Sequence, residues 1–262
     1  MSNCPDSVAI SQTIFPAERI RSAAAVGEET IRACGLVAES PEVAIAVEQH
    51  RWAWKPSKIR VVLIAESHVY TSPSDLALHI RAAWLRALAP HAPLPFVRLV
   101  YCLGYGENWL LNERPEARNS GTPQYWNIFG RVAGTGRQPV KGAGTNLDRL
   151  AWKIKTLRQL QQLGVWLLDA SLHGIYAPGA LRVPPNLTEQ LHRVWWRHYG
   201  TWLLDSCPDA YTCVIGSGTA KHLRALGVRV DNWIYQPQAQ RSVAPELFDR
   251  GWNELLARAV RS

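Results

Sequence analysis

Three apolar runs in this chain end in residues able to do acid, base or hydrogen-bonding chemistry. Ile59 to Ala65 leads into Glu66, Ser67 and His68; Gly164 to Leu168 leads into Asp169, Ala170 and Ser171; Val228 to Tyr235 leads into Gln236, Pro237 and Gln238. A carboxylate such as Glu66 can stabilise a developing cation and orient water; its competing role is an acid at the start of the next helix. Asp75, after Pro73 and Ser74, is a rival catalytic carboxylate, with helix capping as its alternative. Asp169, when ionised, only accepts hydrogen bonds, so it suits an amino group and repels a carbonyl oxygen; otherwise it caps the turn after its run. The amide of Gln236 donates and accepts but carries no charge, and it could equally be a loop amide beside Pro237. Tyr70 and Tyr125 offer ring faces for stacking on a planar ligand unless core packing takes them.

These residues need a scaffold, and the pattern of the chain supplies one. The β-branched runs at Ile59 to Ala65, Gly164 to Asp169, Tyr211 to Ile215 and Val228 to Tyr235 read as strands, the central ones buried on both faces. Phe96 to Leu103 is also strand-like. Helical periodicity covers Leu76 to Ala89, Gln124 to Val132, Leu147 to Leu163, Leu187 to Leu204, the stretch from Gly216 to Leu226, and a last helix from Pro245. Strands alternating with helices predict an α/β fold: a single domain with a mainly parallel sheet of four to five strands flanked by helices. Ligands in such folds lie beyond the carboxyl ends of the strands, where the three polar clusters fall. The alanine-rich start, with Pro16 and Ser40-Pro41 as helix openings, predicts a helical N-terminal cap over 1–55 ahead of the main domain at 56–262.

The order of these clusters resembles that of the uracil-DNA glycosylase superfamily. Ala65-Glu66-Ser67-His68 stands where the family has its water-activating motif, Leu167-Leu168-Asp169 where it has a Leu-Leu-Asn strand end, and Gln236-Pro237-Gln238 where it has His-Pro-Ser; Tyr125-Trp126 resembles an aromatic pair found in several branches. The resemblance spans about Ile59 to Arg241 and implies a glycosylase-like fold and a DNA N-glycosylase. In this reading a base is flipped into a pocket between Glu66, Asp169 and Gln236, with Ser67, His68, Tyr70 and Tyr125 as further base contacts. Asp169 in place of Asn favours the amino group of cytosine over the O4 of uracil. Because a pocket accepting plain cytosine would destroy the host genome, the expected substrate is a modified cytosine, as in phage DNA, and the expected role antiviral defence. Asp169→Asn should leave the fold intact. Open alternatives are a repair glycosylase for uracil or a deaminated purine, a non-catalytic DNA-binding module, and a small-molecule enzyme holding a phosphate at the Gly216 turn.

The charge balance fits a polyanionic partner. The net charge is +8, and between Arg131 and Arg158 seven basic residues face the single acid Asp148. Candidate DNA contacts are Arg137 and Lys141 in the glycine-rich 134–145 loop, Ser217 and Lys221 at the helix after Gly216, and Gln240 and Arg241, where the family inserts a wedge into the duplex. Five cysteines without a CxxC pair, and no secretory signal, predict a reduced, cytoplasmic protein without metal or other cofactor. No apolar run reaches the length of a membrane span, and a monomer is expected.

Overall fold

The computed structural model of the protein describes residues 14–140, 144–177, 181–236 and 243–260. Two helices, α1 (Ala17–Ala33) and α2 (Pro41–Ala53), precede strand β1 (Val61–Ala65). Two single-turn helices follow, α3 (Pro73–Leu76) and α4 (Ala82–Leu85), and then α5 (Pro123–Val132) and α6 (Asn146–Leu163) lead to β2 (Val165–Asp169). A small hairpin, β3 (Tyr176–Ala177) and β4 (Leu181–Arg182), precedes α7 (Pro185–Trp195), a π-turn over Trp196–Gly200 and α8 (Thr201–Asp205). The chain ends with β5 (Tyr211–Ile215), α9 (Ser217–Ala225), β6 (Asn232–Ile234) and α10 (Pro245–Val260).

Strands β2, β1, β5 and β6 form a four-stranded sheet in that order, and every pairing is parallel. The residues of β1, β2 and β5 are buried throughout, which is why these strands read as continuous apolar runs. Successive strands lie on opposite sides of β1, first β2 and then β5, so the winding reverses there. The crevice at such a reversal, beyond the carboxyl ends of β1 and its neighbours, is where open α/β sheets hold ligands.

Local helix signals are at work in several places. Pro41 opens α2, and Thr145 and Asp148 form a reciprocal capping box at the start of α6, which closes at Gly164. Two expectations are overturned. Leu76 to Ala89 is not one helix, because residues 78–81 pair at long range instead: Ile80 N–H donates to Leu94 O at 2.8 Å, Arg81 N–H to Leu110 O at 2.8 Å and Phe96 N–H to Leu78 O at 2.9 Å. Phe96 to Leu103 is buried but forms no strand, since turns satisfy its backbone, as where Cys102 N–H donates to Leu99 O at 2.9 Å. This segment instead covers the sheet edge, its Tyr101 hydroxyl accepting from the amide of Leu167 on β2 at 2.9 Å.

The N-terminal helices share the core of the sheet. Ile20, Ala23 and Ala24 of α1 and Val43 to Val47 of α2 belong to one apolar cluster with β1, β2 and β5. Trp166 of β2 donates its indole N–H to the carbonyl oxygen of Arg51 at 3.1 Å. Residues 1–55, read from sequence as a cap, therefore contribute α1 and α2 directly to the body of the protein.

Candidate functional site

A cleft of about 660 Å³ opens at the carboxyl ends of the strands. Glu66, Ser67 and His68 enter it from the end of β1, Asp169 from β2, and Ile215 and Gln236 from the far side, while Tyr70, Asp75 and Tyr125 come from the connection between β1 and β2. All the residues expected from sequence to be catalytic or to touch a base thus lie around one cavity. Gly174, after β2, leaves no room for a side chain: a Cβ there would stand 2.6 Å from the backbone nitrogen of Tyr70. That close approach seats the Tyr70 loop against the loop following β2.

Behind the cleft runs a chain of buried ion pairs that includes two of its residues. Glu39, between α1 and α2, accepts from the Thr71 amide at 2.6 Å through Oε1, and through Oε2 from the Gly174 amide at 2.7 Å and His68 Nε2 at 3.0 Å. Nδ1 of His68 lies 3.6 Å from Asp169 Oδ2, which also accepts from Arg51 Nη2 at 2.7 Å. Arg51 is paired in turn with Glu48, whose Oε2 accepts from the Tyr199 hydroxyl at 2.9 Å. Glu39, Glu48, Arg51, His68 and Asp169 are each at most 4% exposed. Charges so deep persist only when paired and hydrogen-bonded.

The protonation states follow from this arrangement. Burial lowers the His68 pKa, but Glu39 and Asp169 outweigh it and push the value up to about 9, so the ring is an imidazolium at neutral pH. Burial raises the pKa of Asp169, yet Arg51 and His68 hold it below the ordinary aspartate value. Glu39 is likewise held ionised against its burial, with His68 as the main cause. Tyr125 keeps its proton more firmly than a free tyrosine, because it is desolvated and faces the negative charges of Asp169 and Glu66.

Several expected roles change once partners are visible. His68 is buried between two carboxylates, its Nε2 bonded to Glu39 and its Nδ1 3.6 Å from Asp169, so both ring nitrogens already face charged groups of the protein itself. Ser67 ties loops together: its hydroxyl donates to His68 O at 2.8 Å and accepts from the Ile175 amide at 3.2 Å. Asp75 takes the role offered as its alternative. It forms a capping box with Ser72 and a two-point ion pair with Arg98, with Nε to Oδ2 at 2.6 Å and Nη2 to Oδ1 at 3.0 Å. Glu66, half-buried just past β1, is a further carboxylate in the cleft lining. Asp169 is no turn cap, and as the centre of a buried ionic chain it will not tolerate Asn without cost to the fold.

The basic residues divide more sharply. Arg149 and Lys153 of α6 are buried and share Glu107, with Arg149 Nη2 at 2.7 Å and Lys153 Nζ at 2.9 Å from Oε1. Arg131 pairs with Asp249 at 3.3 Å and lies 4.5 Å from the Trp252 ring centre. The Arg131 to Arg158 stretch is therefore not one solvated basic face. Arg137 is exposed beside a second cleft, whereas Ser217 and Lys221 are exposed on α9 and line neither cleft. Lys141, Gln240 and Arg241, like Pro237 and Gln238, lie outside the described residues.

Sequence reasoning missed Glu39, Glu48, Arg51, Arg98 and Glu107. Glu48 and Arg51, three apart on a helix, carry the same local signal as an ordinary exposed pair. Among the described residues no group of three His, Cys, Asp or Glu side chains is arranged to hold a metal ion, and no helix is long and apolar enough to cross a membrane. Comparison with known proteins finds no matching family model, no matching curated protein and no matching solved structure.

Proposed function

We propose that the protein is a DNA glycosylase that takes a flipped, modified cytosine into the strand-end cleft and hydrolyses its bond to the sugar, as would suit defence against modified phage DNA. The observation that carries this reading is the convergence of Glu66, Asp169, Tyr125 and Gln236, from four separate segments, on one cavity whose Asp169 is held ionised. An ionised Asp169 is an acceptor only. Among the described residues its charged partners, Arg51 and His68, both face Oδ2, and Oδ1 would accept from the exocyclic amine of a cytosine-type base. The 660 Å³ cleft is much larger than a pyrimidine ring and has space for a bulky substituent.

Hydrolysis would proceed with the base departing on the electron pair of its N-glycosidic bond, while the Gln236 amide donates a hydrogen bond to the base O2. Glu66 would stabilise the positive charge developing on the sugar and orient the water whose oxygen adds to C1′ and whose proton is released. Tyr70 and Tyr125 would hold the ring of the base by stacking. The neutral amide of Gln236 also favours a second reading, a DNA-binding module that flips or holds a base without cleaving it, because it cannot carry a positive charge towards the leaving group.

The test is incubation of the protein with DNAs bearing uracil, hypoxanthine, 5-methylcytosine, hydroxymethylcytosine and glucosylated hydroxymethylcytosine, followed by mass spectrometry of released bases. Release of a modified cytosine with matching alkali-labile sites is expected, and Glu66→Gln should slow it by at least about 10²-fold with DNA affinity little changed. Bound DNA that loses no base in any of the five would favour the non-catalytic reading, and release of uracil or hypoxanthine alone would overturn the choice of cytosine.

A further inference from the structure

A second cleft, of about 1030 Å³, adjoins the first, and Tyr105, Glu116, Ala117, Arg118, Ser120 and Thr122 line both. Its lining carries five cationic side chains, Arg114, Arg118, Arg137, Arg149 and Lys153, against the single carboxylate of Glu116. The cations come from the 105–122 connection, from the segment after α5 and from α6, so no single run of sequence announces them. Glu107, which offsets part of the charge of Arg149 and Lys153, is buried and is not in the lining.

We propose that this second cleft binds the phosphodiester backbone of a nucleic acid strand and passes one nucleotide of it to the first cleft. The proposal deepens the reading of the first cleft as a base pocket and rests on that reading for its direction. Arg114, Arg118 and Arg137 are exposed, and no acid among the described residues pairs with them. Their guanidinium groups present the forked donors that match phosphate oxygens. Arg149 and Lys153 beneath them are immobilised, Arg149 also donating to Pro139 O at 2.5 Å and Lys153 to Tyr105 O at 3.2 Å, so they add fixed positive potential at little further ordering cost.

The wall shared by the clefts is itself built rigidly. Asn119 is buried, accepts from the Gly106 amide at 2.7 Å and donates to Gly104 O at 3.0 Å, which locks the 104–106 turn to the 119–121 turn. Arg98, paired with Asp75 in the first cleft, reaches across to the carbonyl oxygens of Arg118 at 3.1 Å and Ala117 at 3.3 Å. A strand laid over Arg114, Arg118 and Arg137 would therefore meet the base cleft across a fixed ridge. An acidic peptide would match the charge but would leave the adjoining cleft with its stacking aromatics unexplained.

The test uses the full chain and a fluorescein-labelled oligonucleotide, single- and double-stranded, with anisotropy read at a series of NaCl concentrations. The triple variant Arg114→Ala/Arg118→Ala/Arg137→Ala should weaken binding to every sequence alike and flatten the slope of log affinity against log salt by about two to three units, since each lost arginine frees one phosphate. These side chains are exposed, and a circular dichroism melt will show that the variant is folded. An unchanged slope, or tighter binding of a labelled polyglutamate than of either oligonucleotide, overturns the proposal. Base release by a protein whose slope does not respond to the variant overturns the phosphate cleft alone. A slope that responds without base release from any DNA overturns only the glycosylase reading, and no oligonucleotide binding by the wild type overturns both.

Discussion

At the scale of residues, Asp169 stands both in the lining of the cleft and in the ionic chain behind it. Its Oδ2 is 2.7 Å from Arg51 Nη2 and 3.6 Å from His68 Nδ1, and all three side chains are buried. Asp169→Asn removes one of the two carboxylates paired with Arg51 and one of the two beside His68, and breaking such a buried pair costs about 3–5 kcal/mol. Urea denaturation is expected to show a loss of that order, where a turn cap exchanged for Asn would lose only a few tenths. The same variant tests base reading: at a temperature where both proteins are folded, the ratio of single-turnover rates on matched cytosine-type and uracil substrates should fall, because the new amide can donate to O4. A ratio that does not move would show that Asp169 supports the cleft without reading the base. The two measurements separate what the sequence alone could not, since a strand-end aspartate carries the same local signal in either role.

At the scale of elements, the strands that carry the site were legible and the network that holds it was not. Ile59 to Ala65 and Tyr211 to Ile215 could be recognised because a strand buried on both faces must be apolar throughout. Leu76 to Ala89 and Phe96 to Leu103 carry equally good local patterns, yet distant partners took backbone groups of the first and turns took those of the second, and no local pattern reports either. Glu39 gives no sign in the sequence that it will receive Thr71, Gly174 and His68, because its partners come from the loops after two different strands. The place of α1 depends on a similar hidden fit. A Cβ on Gly27 would lie 2.5 Å from His173 Cδ2 and 2.7 Å from its Nε2, and that Nε2 is 2.8 Å from Ala24 O. His173 is itself buried. Gly27→Ala should therefore destabilise the protein by about 1–3 kcal/mol through overpacking, even though alanine is the better helix former by about 1 kcal/mol. Chemical denaturation of the variant measures the sign: a stabilised protein would mean that α1 does not pack against the loop after β2 as described.

At the scale of the whole molecule, the ionic chain from Glu39 to Glu48 ties the N-terminal helices to the sheet, and it makes global stability depend on pH. His68 has a folded pKa of about 9 against an ordinary value of 6.5, so its contribution is fully present below pH 6.5 and is lost as pH rises through 9. Glu39 and Asp169 have lowered values, so their contribution is present above their ordinary values of 4.5 and 3.8 and is lost as pH falls further. These groups favour the mildly acid side of neutrality, while His173, whose pKa burial lowers, acts in the opposite sense and costs stability as pH falls below its ordinary value of 6.5. His50, whose pKa is also raised because Cys102 and Pro95 O outweigh its burial, declines in the same direction and must be separated from His68. Urea unfolding midpoints taken from pH 5 to 9 on the wild type and on His68→Gln make that separation. The wild type should lose stability steadily above pH 6.5, and the variant should start lower and decline less, with His50 supplying what slope remains. Identical slopes in the two proteins would mean that His68 is not held as an imidazolium between Glu39 and Asp169, and the account of how the N-terminal helices fix Asp169 would fall with it.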